Sequence, residues 1–449
     1  MKLRHAVRRL LPLLLVLAGI PAQGEGPLYV GGPASVSGGV VTGTAVEGKP
    51  FRWNPTNFPL TYWTDQGSLG LLSKTGTSGA DALVQQAFQA WQDVATASIT
   101  FNRAGDLGGN VTASNILAVQ DAIYDCSTLP SDPAGGIAKP RTIIYDDSSG
   151  SILLALNEDP NVILGFADAV CFSGDGTDNY FNRGFAVLNG KRTSTAADLL
   201  DLKAVMTHEF GHMIGLDHSQ INLNCLTSIF GSNDLAGLPT MFPILVDGNA
   251  MSTPAVDDIA GVSELYPNTT FASSTGTITG HVFFSDGVTP ALGFNVIARS
   301  TTDPRVTASS SVSGFLFTGD AGNPFVQIQI PGLIPSPSPF GSHDPALIGT
   351  YFIPGLPPGD YTVEVEGIHN TGSDAFVGGS GLNPVGYLGF EFNLIADCSP
   401  LFLSSPTASC TSKSTIHVTA GVTTSTGTDI ILIGPTGDSR RYDAFEDGP

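Results

Sequence analysis

This 449-residue chain is short of charge: only 13 % of its residues are Asp, Glu, Lys or Arg. The basic ones are the minority, 19 Lys and Arg against 40 Asp and Glu, for a formal net charge of −21. Like charges repel, which makes the chain a poor partner for nucleic acid or anionic lipid, and neither is expected. Past the N-terminus there is no apolar run of the ~18 residues a spanning helix needs, so no membrane span is expected. Disorder is excluded by the opposite quantity, since 41 % of the chain is hydrophobic. Cysteine is scarce, and none of the five (Cys126, Cys171, Cys225, Cys398, Cys410) has CxxC spacing, which disfavours a thiolate zinc site. Histidine is missing altogether between His5 and His208. What is plentiful is Gly (54) and Pro (31), the signature of many turns and short strands. The length allows two or three domains, each with its own core.

Lys2, Arg4, Arg8 and Arg9 precede an apolar run from Leu10 to Ile20, and Ala22-Gln23-Gly24 follows it. This is the layout of a secretory signal peptide spanning residues 1–24, with an apolar run too short to cross a bilayer. It predicts a secreted, extracellular protein. The expected disulfides are Cys398 with Cys410 and Cys126 with Cys171, leaving Cys225 free, although spacing alone leaves other connectivities open.

Residues 25–50 are small and glycine-rich and read as a flexible lead-in. Between 51 and 267 helical and strand signals mix. Leu83, Val84, Ala87, Phe88, Trp91 and Val94 recur at three and four, predicting an amphipathic helix over Asp81–Ala97. Strands are expected at Pro59–Trp63, Ser98–Phe101, Thr142–Tyr145 and Phe185–Leu188. A second long helix is expected from Ala196 to about Gly215. The sum is an α+β unit with two main helices and a mixed sheet. After a linker at 268–276 the texture turns all-β through residue 434. Strand candidates there are Thr277–Phe284, Phe294–Ala298, Gly314–Phe317 and Tyr361–Glu366, with Gly/Pro turns between, the pattern of a β-sandwich. Asn323–Ser342 reads as an insertion loop and 435–449 as a tail.

One string concentrates the chemistry: His208-Glu209-Phe210-Gly211-His212-Met213-Ile214-Gly215-Leu216-Asp217-His218. Four residues apart on a helix, His208 and His212 present their imidazoles on one face, where both can bind Zn²⁺. Glu209, one residue round the turn, lies beside such an ion and can take a proton from its water. His218 cannot share that face within a continuous helix. Gly215 is where the chain can leave the helix and bring His218 back as third ligand, because glycine adopts positive φ without steric cost. A fourth position then stays open for water.

The string matches the HExxHxxGxxH signature of the metzincin metalloendopeptidases, and Ser219 after the third histidine resembles the matrixin branch. Pro239-Thr240-Met241-Phe242-Pro243 resembles the family's Met-turn, implying Met241 as an apolar floor beneath the zinc. Asp257 to Tyr266 resembles the matrixin C-terminal helix, and Ala87-Phe88-Gln89-Ala90-Trp91 the first helix. The resemblance spans about residues 51–267. It implies a zinc-dependent endopeptidase with Glu209 as general base, His208, His212 and His218 as ligands, and protein or peptide substrates. It also implies that Phe242-Pro243-Ile244 walls the pocket for the residue after the cut. Asp257 and Asp258 are expected to cap a helix or face solvent. Two family features have no counterpart: no cysteine precedes Cys126 to cap the zinc, and no histidine upstream of His208 in the mature chain offers a second, structural zinc site. Gly174–Asn179 and Asp146-Asp147 offer oxygen donors at which calcium is possible, without the full twelve-residue loop pattern. The later segments Gly276–Val282 and Ile353–Tyr361 resemble a carboxypeptidase-regulatory-like, transthyretin-type β-sandwich. The alternative reading is a non-catalytic exported adhesin or matrix-binding protein retaining a metal site. Oligomeric state is not readable.

Overall fold

A computed structural model describes residues 26–29, 31, 41–46, 48–128, 136–219, 221, 237–242, 245–284, 286–291, 294–313, 315–316, 319–320, 349–367 and 414–431. The expected signal peptide, Cys225, Cys398, Cys410, Pro243, Ile244, the 323–342 loop and the 435–449 tail lie outside these residues.

The apolar stripe of the first predicted helix does become α1 (Ala80–Gln92), with Leu83, Val84, Ala87, Phe88 and Trp91 buried. Two shorter helices follow, α2 (Ile116–Tyr124) and α3 (Ser151–Ala155). The long helix α4 (Ala196–Met213) then crosses α1. Phe88 stacks on Phe210 with ring centroids 4.0 Å apart, and Trp91 Nε1 donates to the carbonyl of Thr207 at 2.8 Å. An aromatic wedge of this size, fully desolvated, fixes the two helices against each other.

Both helices pack on a seven-stranded sheet. Its strands are β1 (Val41–Thr44), β2 (Phe51–Trp53), β3 (Leu60–Thr64), β4 (Phe101–Asp106), β5 (Arg141–Tyr145), β6 (Gly165–Asp175) and β7 (Asn179–Leu188). The order is β1-β6-β7-β5-β3-β4, with β2 also paired to β7. Only the β6–β7 pair is antiparallel; every other pair in this sheet is parallel. The disulfide joins Cys126 to Cys171, which has a φ of 62° and is passed over in the β6–β7 ladder, whose register is the same on both sides of it.

Several expectations are corrected. The strand expected at Ser98–Phe101 begins only at Phe101, because β4 is a half-exposed edge strand whose sequence FNRAGD carries little apolar signal. The described parts of 25–50 do not form a free lead-in: β1 lies on the outer half of β6, and Leu28 N–H donates to the Gly215 carbonyl at 2.6 Å. Nor is 268–276 a loose linker. It holds a short helix after α5 (Val256–Leu265), namely α6 (Phe271–Ser274), with Phe271 buried and the Asn268 amide donating to the Ala95 carbonyl.

Beyond α6 the described residues form two sheets. One runs β12-β11-β10-β9-β14-β15, from β9 (Phe294–Ser300), β10 (Ala308–Val312), β11 (Phe315–Leu316), β12 (Gly319–Asp320), β14 (Gly359–Gly367) and β15 (Ile416–Val418). The other contains β8 (Gly276–Phe283), β13 (Thr350–Leu356), β16 (Thr423–Thr424) and β17 (Ile430–Ile431), with β8 central. Ile278, Val282 and Ile353 from one sheet meet Val296, Val363 and Val365 from the other in a shared core. The sequence ASSSV of β10 has no apolar alternation and was not expected as a strand, yet all five residues are buried.

Candidate metal centre

Helix α4 starts cleanly. Thr195 accepts from the Asp198 N–H at 3.1 Å, and the Asp198 carboxylate accepts from the Thr195 N–H at 2.8 Å, a reciprocal capping box. Continuous helix to Met213 then puts His208 and His212 one turn apart. The helix ends where the sequence predicts: Gly215 has φ +100°, and Leu216 N–H turns back to the Gly211 carbonyl at 2.9 Å. The reversal returns His218 to the same point. The three Nε2 atoms stand 3.1, 3.1 and 3.2 Å apart. Ligands about 2.0–2.1 Å from one tetrahedral zinc ion would stand roughly 3.3–3.4 Å apart, so the donor set fits such an ion.

Two of the three outward nitrogens are committed, while His218 Nδ1 is buried without a hydrogen-bond partner. His208 Nδ1 donates to the Thr240 carbonyl and His212 Nδ1 to the Leu216 carbonyl, both at 2.8 Å. Each bond fixes the tautomer that turns an Nε2 lone pair inward. Burial also disfavours the imidazolium forms. His208 is pushed down to about 4, His212 to about 3 with help from His208, and His218 well below the ordinary range. All three rings are neutral at pH 7, the state a metal requires. Among the described residues no other set of three His, Cys, Asp or Glu side chains is gathered closely enough to hold an ion.

Glu209 faces the β6 side of this point. Burial pushes its carboxyl up to about 8, opposed by an N–H bond from Ala167. The contact is close enough that a Cβ on Gly165 would stand 3.2 Å from Glu209 Cγ. β1 covers only the Phe172–Asp175 end of β6, and no strand among the described residues pairs with the outer edge of Gly165–Val170.

Met241 is fully buried under the same helix. A Cβ on Gly211 would lie 2.2 Å from Met241 Sδ, so the glycine inside the histidine string is needed for this close approach. Phe242 is buried as well.

Asp257 and Asp258 correct an expectation. Neither faces solvent. Asp258 does cap α5, accepting from the Ala255 N–H, but it also accepts from the N–H groups of Thr240 at 2.7 Å and Met241 at 2.9 Å. It thereby holds the turn whose carbonyl orients His208. Motif spacing gave no signal for this role, because the partners are 17 and 18 residues distant in sequence.

The carboxylates of the two candidate calcium segments make hydrogen bonds within their own turns. Asp175 accepts from the N–H groups of Thr177 and Asp178, and Lys49 and Arg52 already approach Asp178 at 3.4 Å. Asp146 accepts the N–H groups of Asp147, Ile152 and Leu153, while Asp147 serves Ser149 and Ser151.

A comparison with curated proteins finds no match for the chain. The family model described as Matrixin matches residues 52–267, so this part of the chain is similar to a matrixin catalytic domain, a family of zinc-dependent endopeptidases.

Proposed function

We propose that the protein is an exported zinc endopeptidase in which His208, His212 and His218 hold the metal and Glu209 is the general base. The observation that carries this reading is the convergence of three neutral imidazoles whose Nε2 atoms lie within 3.2 Å of one another. Zinc held there supplies Lewis acidity, making water acidic enough to lose a proton near neutral pH and polarising the scissile carbonyl. Glu209, wedged between α4 and β6, takes that proton and returns it to the leaving amine. Its burial suits a group that must both accept and donate near neutral pH. An extended peptide has a docking edge in Gly165–Val170 of β6, where backbone pairing would lay the scissile bond beside Glu209. Met241 serves as the floor and Phe242 as part of a wall for the residue after the cut. The all-β half is read as a regulatory-type sandwich for stability or attachment. Residues 1–24 are read as an export signal.

The test is metal analysis of the purified protein with casein or gelatin digestion. One zinc per chain and cleavage blocked by a chelator are expected. Glu209→Gln should keep the zinc and lose turnover by at least about 10²-fold; undiminished turnover removes Glu209 from the chemistry.

A further inference from the structure

Asp257 carries no role in the reading above, yet it is buried at the junction of three elements. Its Oδ2 accepts from the Ser219 hydroxyl at 2.5 Å, and its Oδ1 accepts from the backbone N–H of Ser310 at 2.8 Å. Ser219 directly follows His218. Ser310 belongs to β10, in the C-terminal sheets. Ser219 is gripped from a second side, since its N–H donates to the Met241 carbonyl at 2.9 Å. Two residues further on, Ile221 is buried in a small cluster with Ile297 of β9 and Ala308 of β10. A further contact joins α5 to the C-terminal sheets: Gly355 of β13 lies so near α5 that a Cβ there would come 2.7 Å from Ala260 Cβ.

We propose that Asp257 is a positioning residue that ties the loop of the third imidazole to β10, making the C-terminal sheets part of the metal-site support. His208 and His212 inherit their places from helix geometry. His218 follows a chain reversal and depends on what clamps the residues after it. A hydroxyl-to-carboxylate bond in a buried setting, with the other carboxylate oxygen committed to a strand N–H, is such a clamp. The proposal rests on the zinc reading and extends it to the second half of the chain.

The experiment measures zinc affinity of the full chain by chelator competition, which needs no turnover. Asp257→Ala should raise the zinc dissociation constant about tenfold. Asp257→Asn should stay near wild type, because the amide oxygen still accepts from Ser310 and its N–H can donate to the Ser219 oxygen. Ile297→Ala, confined to the sheets, should raise the constant about threefold, reaching the metal only through Ile221. Ile152→Ala, in a separate core, should lower the melting temperature and leave the constant unchanged. An Asp257→Ala protein with wild-type zinc affinity overturns the proposal. So does an equal effect from Ile297→Ala and Ile152→Ala, which would mean loss of stability alone. Failure of the wild-type chain itself to bind zinc would instead sink the reading of the site.

Discussion

The two sides of the candidate metal centre are built by different means. The helix side, carrying His208 and His212, is local: a capped α-helix places any two residues four apart on one face. The loop side, carrying His218, is assembled from distance. Gly26 and Leu28 pair with Asp217 and Gly215, Asp257 holds Ser219, and β9 and β10 pack on Ile221. A site built this way should be robust on one side and sensitive on the other. The helix side can lose stability without losing geometry, whereas the loop side cannot shift without moving a ligand.

The largest effect is expected at Gly215. Its φ of +100° is a conformation that an L side chain resists, and a Cβ there would meet Phe181 Cε2 at 2.8 Å. Gly215→Ala should cost about 1–3 kcal/mol in denaturant unfolding of the metal-free chain. It should also weaken zinc binding by about 10- to 100-fold in chelator competition, because the strain is relieved by moving the segment that carries His218. Unchanged zinc affinity would show that the loop side is as self-sufficient as the helix.

Gly211→Ala is the matched change on the helix side. The new Cβ would meet Met241 Sδ at 2.2 Å and Trp91 Cζ2 at 2.9 Å. Overpacking of this kind costs about 1–3 kcal/mol, partly offset by up to ~1 kcal/mol of better helix propensity. The spacing of His208 and His212 survives, so zinc affinity should fall only a few-fold. A loss as large as that at Gly215 would break the contrast.

The same division explains what could be read from the chain. The gathering of His208, His212 and His218 is legible because a helix and a reversal at Gly215 are written within eleven consecutive residues. α1 and α4 are legible for the same reason: their apolar spacing is local. The pairing of Cys126 with Cys171 was the expected one and is formed. β6, which borders Glu209, was missed because GFADAVCFSGD buries residues on both faces in its middle and shows no alternation. β10 was missed because three serines read as a loop until their burial is seen. Asp257 and Asp258 looked like ordinary first-turn acids. Their partners Ser219, Ser310 and Thr240 are 38, 53 and 18 residues away, and only the folded chain brings them together. Composition does not separate the two fates open to the lead-in, since small residues allow a strand to lie against β6 as readily as they allow a loose segment.

The smallest effect tests the helix side alone. Thr195 caps α4 about three and a half turns before His208. Thr195→Ala removes the acceptor for the Asp198 N–H, while the Asp198 carboxylate keeps its bond from the backbone N–H of residue 195. Such losses cost about 1 kcal/mol, visible as a lower midpoint in denaturant unfolding. Zinc affinity should not change, because fraying at the first turn does not reach the last one: Phe88, Trp91 and Phe210 pin the intervening helix to α1. If chelator competition showed a weakened site in Thr195→Ala, the two histidines would depend on the whole length of the helix and not on one turn of it. The distinction between a local and an assembled side of the centre would then fail on the side where it is simplest.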